Sequence, residues 1–317
     1  MHNYINNVSV IIPAFNAERF IHNAVNSALQ HSCVVEIIII DDGSVDGTHK
    51  ICTEISNNNS RVKVISHEGK CNKGAGISRN IGIQHATCEF IAFLDADDLY
   101  LENRFNNSLD ILNKHQNIDA THEVLGVLYH DNDVEKKHLM RMIQLKKNIS
   151  KKVLPLEYTG IEQNILPNDL FLHLLMTDKG WIHLNTLTIR RSSLVNFSLF
   201  NSNILGEDSD FIMRLACERT VIGTNCLKPV AVRGIHNNNR ITDQKIIKKE
   251  SKITDWLQLL EYSLKNKKND AIVYIVFRYT DNSSKIKKLL LIMSLLAKKP
   301  KFIIPFFLGI TAYYEKT

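Results

Sequence analysis

No two of the six cysteines, Cys33, Cys52, Cys71, Cys88, Cys217 and Cys226, stand at Cys-x-x-Cys spacing, which argues against a zinc knuckle or a redox pair. The N-terminus lacks the charged, apolar, then small-residue order of a secretory leader. Reduced thiols and a cytoplasmic location are therefore expected. No apolar run reaches the roughly 20 residues that a membrane-spanning helix needs. The two long ones, Leu289–Ala297 and Phe302–Ala312, are split by Lys298-Lys299-Pro300-Lys301. Repeats and nucleic-acid motifs are also missing, so nucleic acid is not an expected partner.

What is present is an ordinary globular composition: 317 residues, 44% apolar and 23% charged, which excludes a disordered or fibrous chain. The net charge of +6 is unevenly placed. Residues 241–317 hold fifteen Lys and Arg against seven Asp and Glu, or +8, which leaves −2 for the rest. A basic, apolar tail of this kind fits peripheral contact with an anionic membrane, here the inner face of the cytoplasmic membrane, as well as it fits an ordinary helix pair.

Hydrophobic patterning alternates between strand and helix. Val8–Ile12 reads as a strand that stops at Pro13, and Ala17–Gln30 as an amphipathic helix. Val34–Ile40, with four consecutive isoleucines, fits a strand covered on both faces. A helix over Val45–Ile55, capped from the Ser44–Asp46 region, precedes a third strand, Val62–Ile65. Gly74–Ala86 reads as a helix, Phe90–Leu94 as a fourth strand and Leu101–His115 as a helix. Farther along, the pattern predicts a strand at Val124–Tyr129, a basic helix around Val134–Lys147, a strand-like segment within Trp181–Ile189, a helix over Phe211–Cys217 and helices after Arg240. The expected fold is α/β, a Rossmann-like mixed but mainly parallel sheet with flanking helices and a C-terminal helical extension. Such sheets bind ligands beyond the carboxyl ends of their strands, where residues 13–16, 41–44 and 95–98 form polar loops.

Asp95, Asp97 and Asp98 close an apolar strand, so their carboxylates converge. Like charges held that close repel unless a cation lies between them, and hard oxygen ligands suit Mg²⁺ or Mn²⁺. Asp97 or Asp98 would serve equally as the cap of the next helix. Asp41 and Asp42 either bind a base or ribose or form an Asp-rich turn with Gly43. Phe15 either stacks on a base or packs. Glu207 and Asp208, preceding an apolar helix, are caps or include a general base. His236, before three asparagines, sits in a polar loop.

Taken in order, Pro13-Ala14-Phe15-Asn16, Asp41-Asp42-Gly43-Ser44 with Asp46-Gly47-Thr48, Asn72-Lys73-Gly74 leading to Arg79-Asn80-x-Gly82, Asp95-Ala96-Asp97-Asp98 and Gly206-Glu207-Asp208 resemble the family 2 glycosyltransferases of GT-A fold. The likeness is close over residues 7–115 and looser over 180–242. It implies an inverting transfer from a nucleoside-diphosphate sugar, UDP-linked by family weight, to a hydroxyl of a glycan or lipid-linked acceptor in surface polysaccharide synthesis. Pro13, Phe15, Asn16, Asp42 and Ala96 then fall on the nucleoside side, with Phe15 where the family usually has Tyr. Lys73 and Arg79 face the diphosphate, and Asp95 meets ribose or a metal-bound water. Asp97, with Asp95 and His236, holds the divalent metal, Mn²⁺ or Mg²⁺. Asp208 becomes the catalytic base beside Glu207, and Trp181 and His183 line the acceptor pocket, although Trp181 fits core packing equally well. The domains expected are a donor half over residues 1–115, an acceptor and base half over 116–242, and the extension over 243–317.

Three other readings compete. One is transfer to polyprenyl phosphate itself. Another is a sugar-phosphate nucleotidyltransferase, which calls for a glycine-rich, Arg-containing first loop that Pro13–Asn16 does not provide. The last is a non-catalytic nucleotide-sugar-binding protein, against which the intact acidic sets at 95–98 and 207–208 argue.

Overall fold

The computed structural model describes residues 6–67, 69, 71–129, 158–176, 179–201, 206–236, 259, 261–279, 300, 304–306 and 309. The expected helix at Val134–Lys147, the run Leu289–Ala297 and most of Phe302–Ala312 lie outside these residues. Ten strands are named within them: β1 (Val8–Ala14), β2 (Val34–Asp41), β3 (Val62–Ser66), β4 (Phe90–Phe93), β5 (Leu99–Tyr100), β6 (Ala120–His122), β7 (Val124–Tyr129), β8 (Thr188–Arg190), β9 (Val221–Gly223) and β10 (Pro229–Ile235). The helices are α1 (Ile21–Leu29), α2 (Thr48–Asn58), α3 (Ala75–His85), α4 (Asn106–Lys114), α5 (Pro167–Met176), α6 (Glu207–Glu218) and α7 (Asn269–Tyr279).

A seven-stranded sheet runs in the order β3-β2-β1-β4-β8-β6-β9, and only β8 opposes its neighbours. The expected α/β, mainly parallel sheet with flanking helices is thus the architecture found. Four consecutive isoleucines work here because side chains alternate across a strand. Ile37 and Ile39 join one core with Val10, Ile12 and the α1 residues Ile21 and Val25. Ile38 and Ile40 join the other with Ile11, Phe93 and Phe211. A second sheet, β5-β10-β7, pairs β10 antiparallel with β5 and parallel with β7.

Several expectations need correction. Strand β1 does not stop at Pro13, which pairs in register with Ile40. Ile11 O accepts Leu94 N–H on the β4 side at 3.1 Å, so Pro13, two residues on, turns its missing donor to that side, beyond the last β4 partner. The helix expected from Leu101 begins at Asn106, because Leu99 and Tyr100 are drawn into pairing with Val232 and Ala231. Its first turn is capped by neither Asp97 nor Asp98. The segment Trp181–Ile189 is a strand only from Thr188; Leu184–Thr186 is a 3₁₀ turn. Glu207 and Asp208 do not precede their helix but form its first turn, after Gly206 at φ +89°, a left-handed conformation suited to glycine.

Candidate active site

Parallel strands β1, β2 and β4 end at one edge of the sheet, and their loops meet there. The first and second loops are laced together: Asn16 N–H donates to Ser44 Oγ at 3.1 Å and Val45 N–H to Asn16 Oδ1 at 3.0 Å. The Asp46-Gly47-Thr48 motif continues the lacing. Thr48 Oγ1 accepts Ala17 N–H at 2.7 Å, and Asp46 accepts Glu18 N–H at 3.2 Å and Thr48 N–H at 3.0 Å. Pro13 and Phe15 are half-buried beside this lacing and Asn16 is exposed.

Asp42 is buried and faces inward. Its carboxylate accepts the N–H groups of Lys73 at 2.6 Å and Gly74 at 2.9 Å, and lies 3.2 Å from His67 Nε2. Asp41 accepts Ser44 N–H at 3.1 Å and lies 3.0 Å from His49 Nδ1. Lys73 is exposed.

Helix α3 then carries Arg79 to the centre of the site. The buried guanidinium bonds Asp95 through Nη2 at 2.8 Å and Glu207 through Nη1 at 3.2 Å, and it covers the Phe200 ring at 5.4 Å. One cation thus joins the acidic motifs at 95–98 and 207–208. Burial disfavours its charge, but Asp95, Glu207 and Asp208 together hold the Arg79 pKa above its ordinary value. Burial likewise works against ionised Asp95, yet Arg79, His183 and Arg233 hold its acid below the usual range. Asp98 goes the other way: burial, then the charges of Asp95 and Asp97, push it well up despite the Gly234 N–H and Arg233.

Asp97 does not cap α4; its Oδ2 lies 3.1 Å from His236 Nε2, and the His236 ring stacks on Phe20 with centroids 4.7 Å apart. The structure thus brings together Asp97 and His236, two of the residues expected to hold the metal. A second imidazole approaches from the 3₁₀ turn, where atoms of His183, Asp95 and Asp98 lie within 4.8 Å of one another. Asn185 N–H donates to His183 Nδ1 at 3.3 Å, so the ring carries its proton on the other nitrogen. Burial and Arg233 lower the His183 pKa against the pull of Asp95 and Asp208. Trp181 packs as a half-buried residue against one hydrophobic core. Ala96 is buried.

A divalent cation fits this donor set. Three carboxylates occupy four consecutive positions, and the charges of Asp95 and Asp97 add to burial in pushing Asp98 up. Asp95, Asp97 and His236 are half-buried, and of these Asp97 and His236 lie side by side. Asp98 is less suited, since one of its oxygens accepts Gly234 N–H at 2.8 Å and the other the Asn185 amide.

Sequence reasoning missed Asn185, His67, Phe20, Arg104 and Arg233, which act through contacts far apart in the chain. Phe20 was visible only as one apolar position of a helix. Asn185 stood in a segment already singled out, but nothing local marks its amide.

The model of the family described as "Glycosyl transferase family 2" matches residues 9–171, just over half of the chain. The chain is 36% identical over 106 residues to "Putative teichuronic acid biosynthesis glycosyltransferase TuaG" of Bacillus subtilis, covering 33% of this chain and 41% of that one. It is 35% identical over 108 residues to "UDP-Glc:alpha-D-GlcNAc-diphosphoundecaprenol beta-1,3-glucosyltransferase WfgD" of Escherichia coli, covering 34% and 41%. The chain thus spans about two fifths of the length of these curated relatives. Among solved structures, S. aureus TarS 1–349 in complex with UDP-GlcNAc superposes with a TM-score of 0.59 at 17% identity, covering 97% of this chain and 81% of that one. At this identity the likeness establishes the fold, of GT-A type.

Proposed function

The chain belongs to glycosyl transferase family 2, and we propose that it moves a sugar, with inversion, from a UDP-sugar to a hydroxyl of a lipid-linked or polysaccharide acceptor in surface glycan synthesis. The observation that carries this reading is the convergence of Asp95, Glu207 and Asp208 on one buried cation, Arg79, which makes two acidic motifs one site. The UDP donor is supported by the E. coli relative described as using UDP-Glc and by the TarS fold neighbour seen with UDP-GlcNAc. That relative's diphosphoundecaprenol-linked acceptor supports a lipid-linked acceptor here.

Pro13, Phe15, Asn16, Asp42 and Ala96 form the nucleoside side. Asp42 contributes by holding the Lys73–Gly74 backbone, which presents the Lys73 ammonium to the diphosphate. Asp95, Asp97 and His236 would hold Mn²⁺ or Mg²⁺, which when bound would supply positive charge for the diphosphate leaving group. Arg79 keeps Asp95 ionised and fixes Glu207, whose neighbour Asp208 takes the proton from the acceptor hydroxyl. As that oxygen bonds the anomeric carbon, the bond to the diphosphate oxygen breaks on the opposite face. Trp181 and His183 border the acceptor.

The test is calorimetric titration of UDP with Mn²⁺ and then with chelator, alongside transfer assays over a set of UDP-sugars. Wild type is expected to bind only with metal and Asp97→Ala not at all. Asp208→Asn is expected to keep UDP affinity while losing at least about a hundredfold in transfer rate, the scale of a positioned base. Tight UDP binding in the presence of chelator sinks the metal-bridged site.

A further inference from the structure

The acidic loop at 95–98 is spanned by one side chain. Asn185 Oδ1 accepts the N–H of Asp95 at 3.2 Å, and its Nδ2 donates to Asp98 Oδ2. Because an N–H must face an oxygen, the Asp95 contact fixes which end of the amide is which, and the Asp98 bond follows. Asn185 is fully buried, so neither bond has water as a ready substitute. The two bonds bracket Ala96 and Asp97 and set the distance between the ends of the loop. Asp98 is tied a second time, by Gly234 N–H on β10, two residues before His236.

Asn185 is itself fixed from behind. Its carbonyl accepts Arg104 Nε at 2.9 Å. The same guanidinium, wholly buried, reaches Leu187 O at 2.6 Å, Thr188 Oγ1 at 3.0 Å and Glu123 Oε2 at 3.4 Å, and lies over the rings of Tyr100 and Phe105 at 5.0 and 4.7 Å. Arg104 thus makes the 3₁₀ turn a rigid mount. A buried arginine with this many fixed partners has one arrangement rather than several.

We propose that Asn185 is the positioning residue of the acidic loop: by bridging Asp95 and Asp98 it holds Asp95 and Asp97 at the spacing a divalent cation requires. Asn185 touches neither the ion nor the donor, and acts through the carboxylates. The inference rests on the metal-bridged donor site proposed above. It adds that the spacing is imposed from the acceptor-side turn, so a residue outside the acidic motif sets cation affinity.

Partners that orient metal ligands typically change metal affinity by about 10- to 100-fold when removed. The experiment titrates Mn²⁺ alone, by the water-proton relaxation of the bound ion, into full-length wild type and Asn185→Ala, and then UDP in the presence of Mn²⁺. The expected result is a Mn²⁺ Kd raised by at least about tenfold at unchanged stoichiometry, with UDP affinity restored by excess Mn²⁺. A purely structural role would instead lower the melting temperature and the stoichiometry while leaving the Kd of the folded fraction unchanged, and that outcome overturns the proposal. Asn185→Ser, which leaves a polar group in the buried site but whose single hydroxyl cannot span Asp95 and Asp98, replaces alanine in the same measurement should too little Asn185→Ala fold. If wild type fails to bind Mn²⁺ and UDP, the metal-bridged reading itself falls; wild-type binding with an unaltered Kd in the variants removes only the role of Asn185.

Discussion

A carboxylate that leaves water needs donors in its place, and Asp42 shows how few residues supply them. Two backbone N–H groups, from Lys73 and Gly74, and the imidazole of His67 reach it. His67 Nε2 is also 2.9 Å from Ser78 Oγ, which donates to Gly74 O at 3.2 Å. Glu123 is the less settled case. Burial raises its pKa to about 7, against the opposing effects of Arg104, Thr224 and Asn107. An unfolded chain ionises this group near 4.5, so from there to about pH 7 the unfolded state loses a proton that the folded state keeps. Stability therefore falls as pH rises through that window, by at most about 1.4 kcal/mol per unit, and levels off above it. Glu123→Gln removes the titration. Denaturant unfolding at pH 5, 6, 7 and 8 is expected to show wild type losing stability relative to the variant most steeply up to pH 7 and only slightly more by pH 8; a difference independent of pH throughout contradicts the assignment.

At the scale of elements, α3 serves three surfaces. Arg79 goes to the acids, Asn80 clamps Phe200 through its N–H and carbonyl at 2.9 and 2.8 Å, and Gly82 lets the helix lie against β1. A Cβ at Gly82 would run into the Ile11 side chain and come within 3.1 Å of Ile40 Cδ1. Gly82→Ala gains up to about 1 kcal/mol in helix propensity, but overpacking a filled core costs about 1–3 kcal/mol, so the variant is expected to melt lower; a raised melting temperature would show that the helix shifts freely. The spacing of apolar residues made β1 to β4 and α1 to α3 legible, because each is long enough to show its period. β6, β8 and β9 are three residues each, too short for any period, and are strands only because a distant partner is there. The same holds in the site. Asp95 and Asp208 were legible as clustered acids, whereas the Asn185 amide meets Asp98 across 87 positions of chain, a pairing that no local pattern encodes.

For the whole molecule, the division of charge sets the remaining question. The acidic loops gather at one sheet edge, while residues 241–317 carry the +8 excess. Part of that extension belongs to the core: the α7 residues Ile272, Val273 and Ile275 and the tail residue Phe306 are buried with α5 and α6, and a Cβ at Gly309 would strike the Asn269 backbone. No helix among the described residues is long and apolar enough to cross a membrane. If the extension lies on an anionic leaflet, its affinity comes from lysines, each contributing about 1 kcal/mol near such a surface. Truncating the tail would remove the Phe306 contact as well, so charge reversal is the cleaner change. Lys298→Glu, Lys299→Glu and Lys301→Glu combined are expected to reduce co-sedimentation with phosphatidylglycerol vesicles by at least about tenfold. Wild-type binding should weaken as salt rises, because the Debye length falls from about 10 Å at 0.1 M to about 3 Å at 1 M. UDP affinity should stay unchanged, since no residue assigned to the donor or the metal lies beyond His236. Equal sedimentation of both forms, or wild-type binding to neutral vesicles alone, would assign the basic tail to packing and leave the acceptor to be reached from solution.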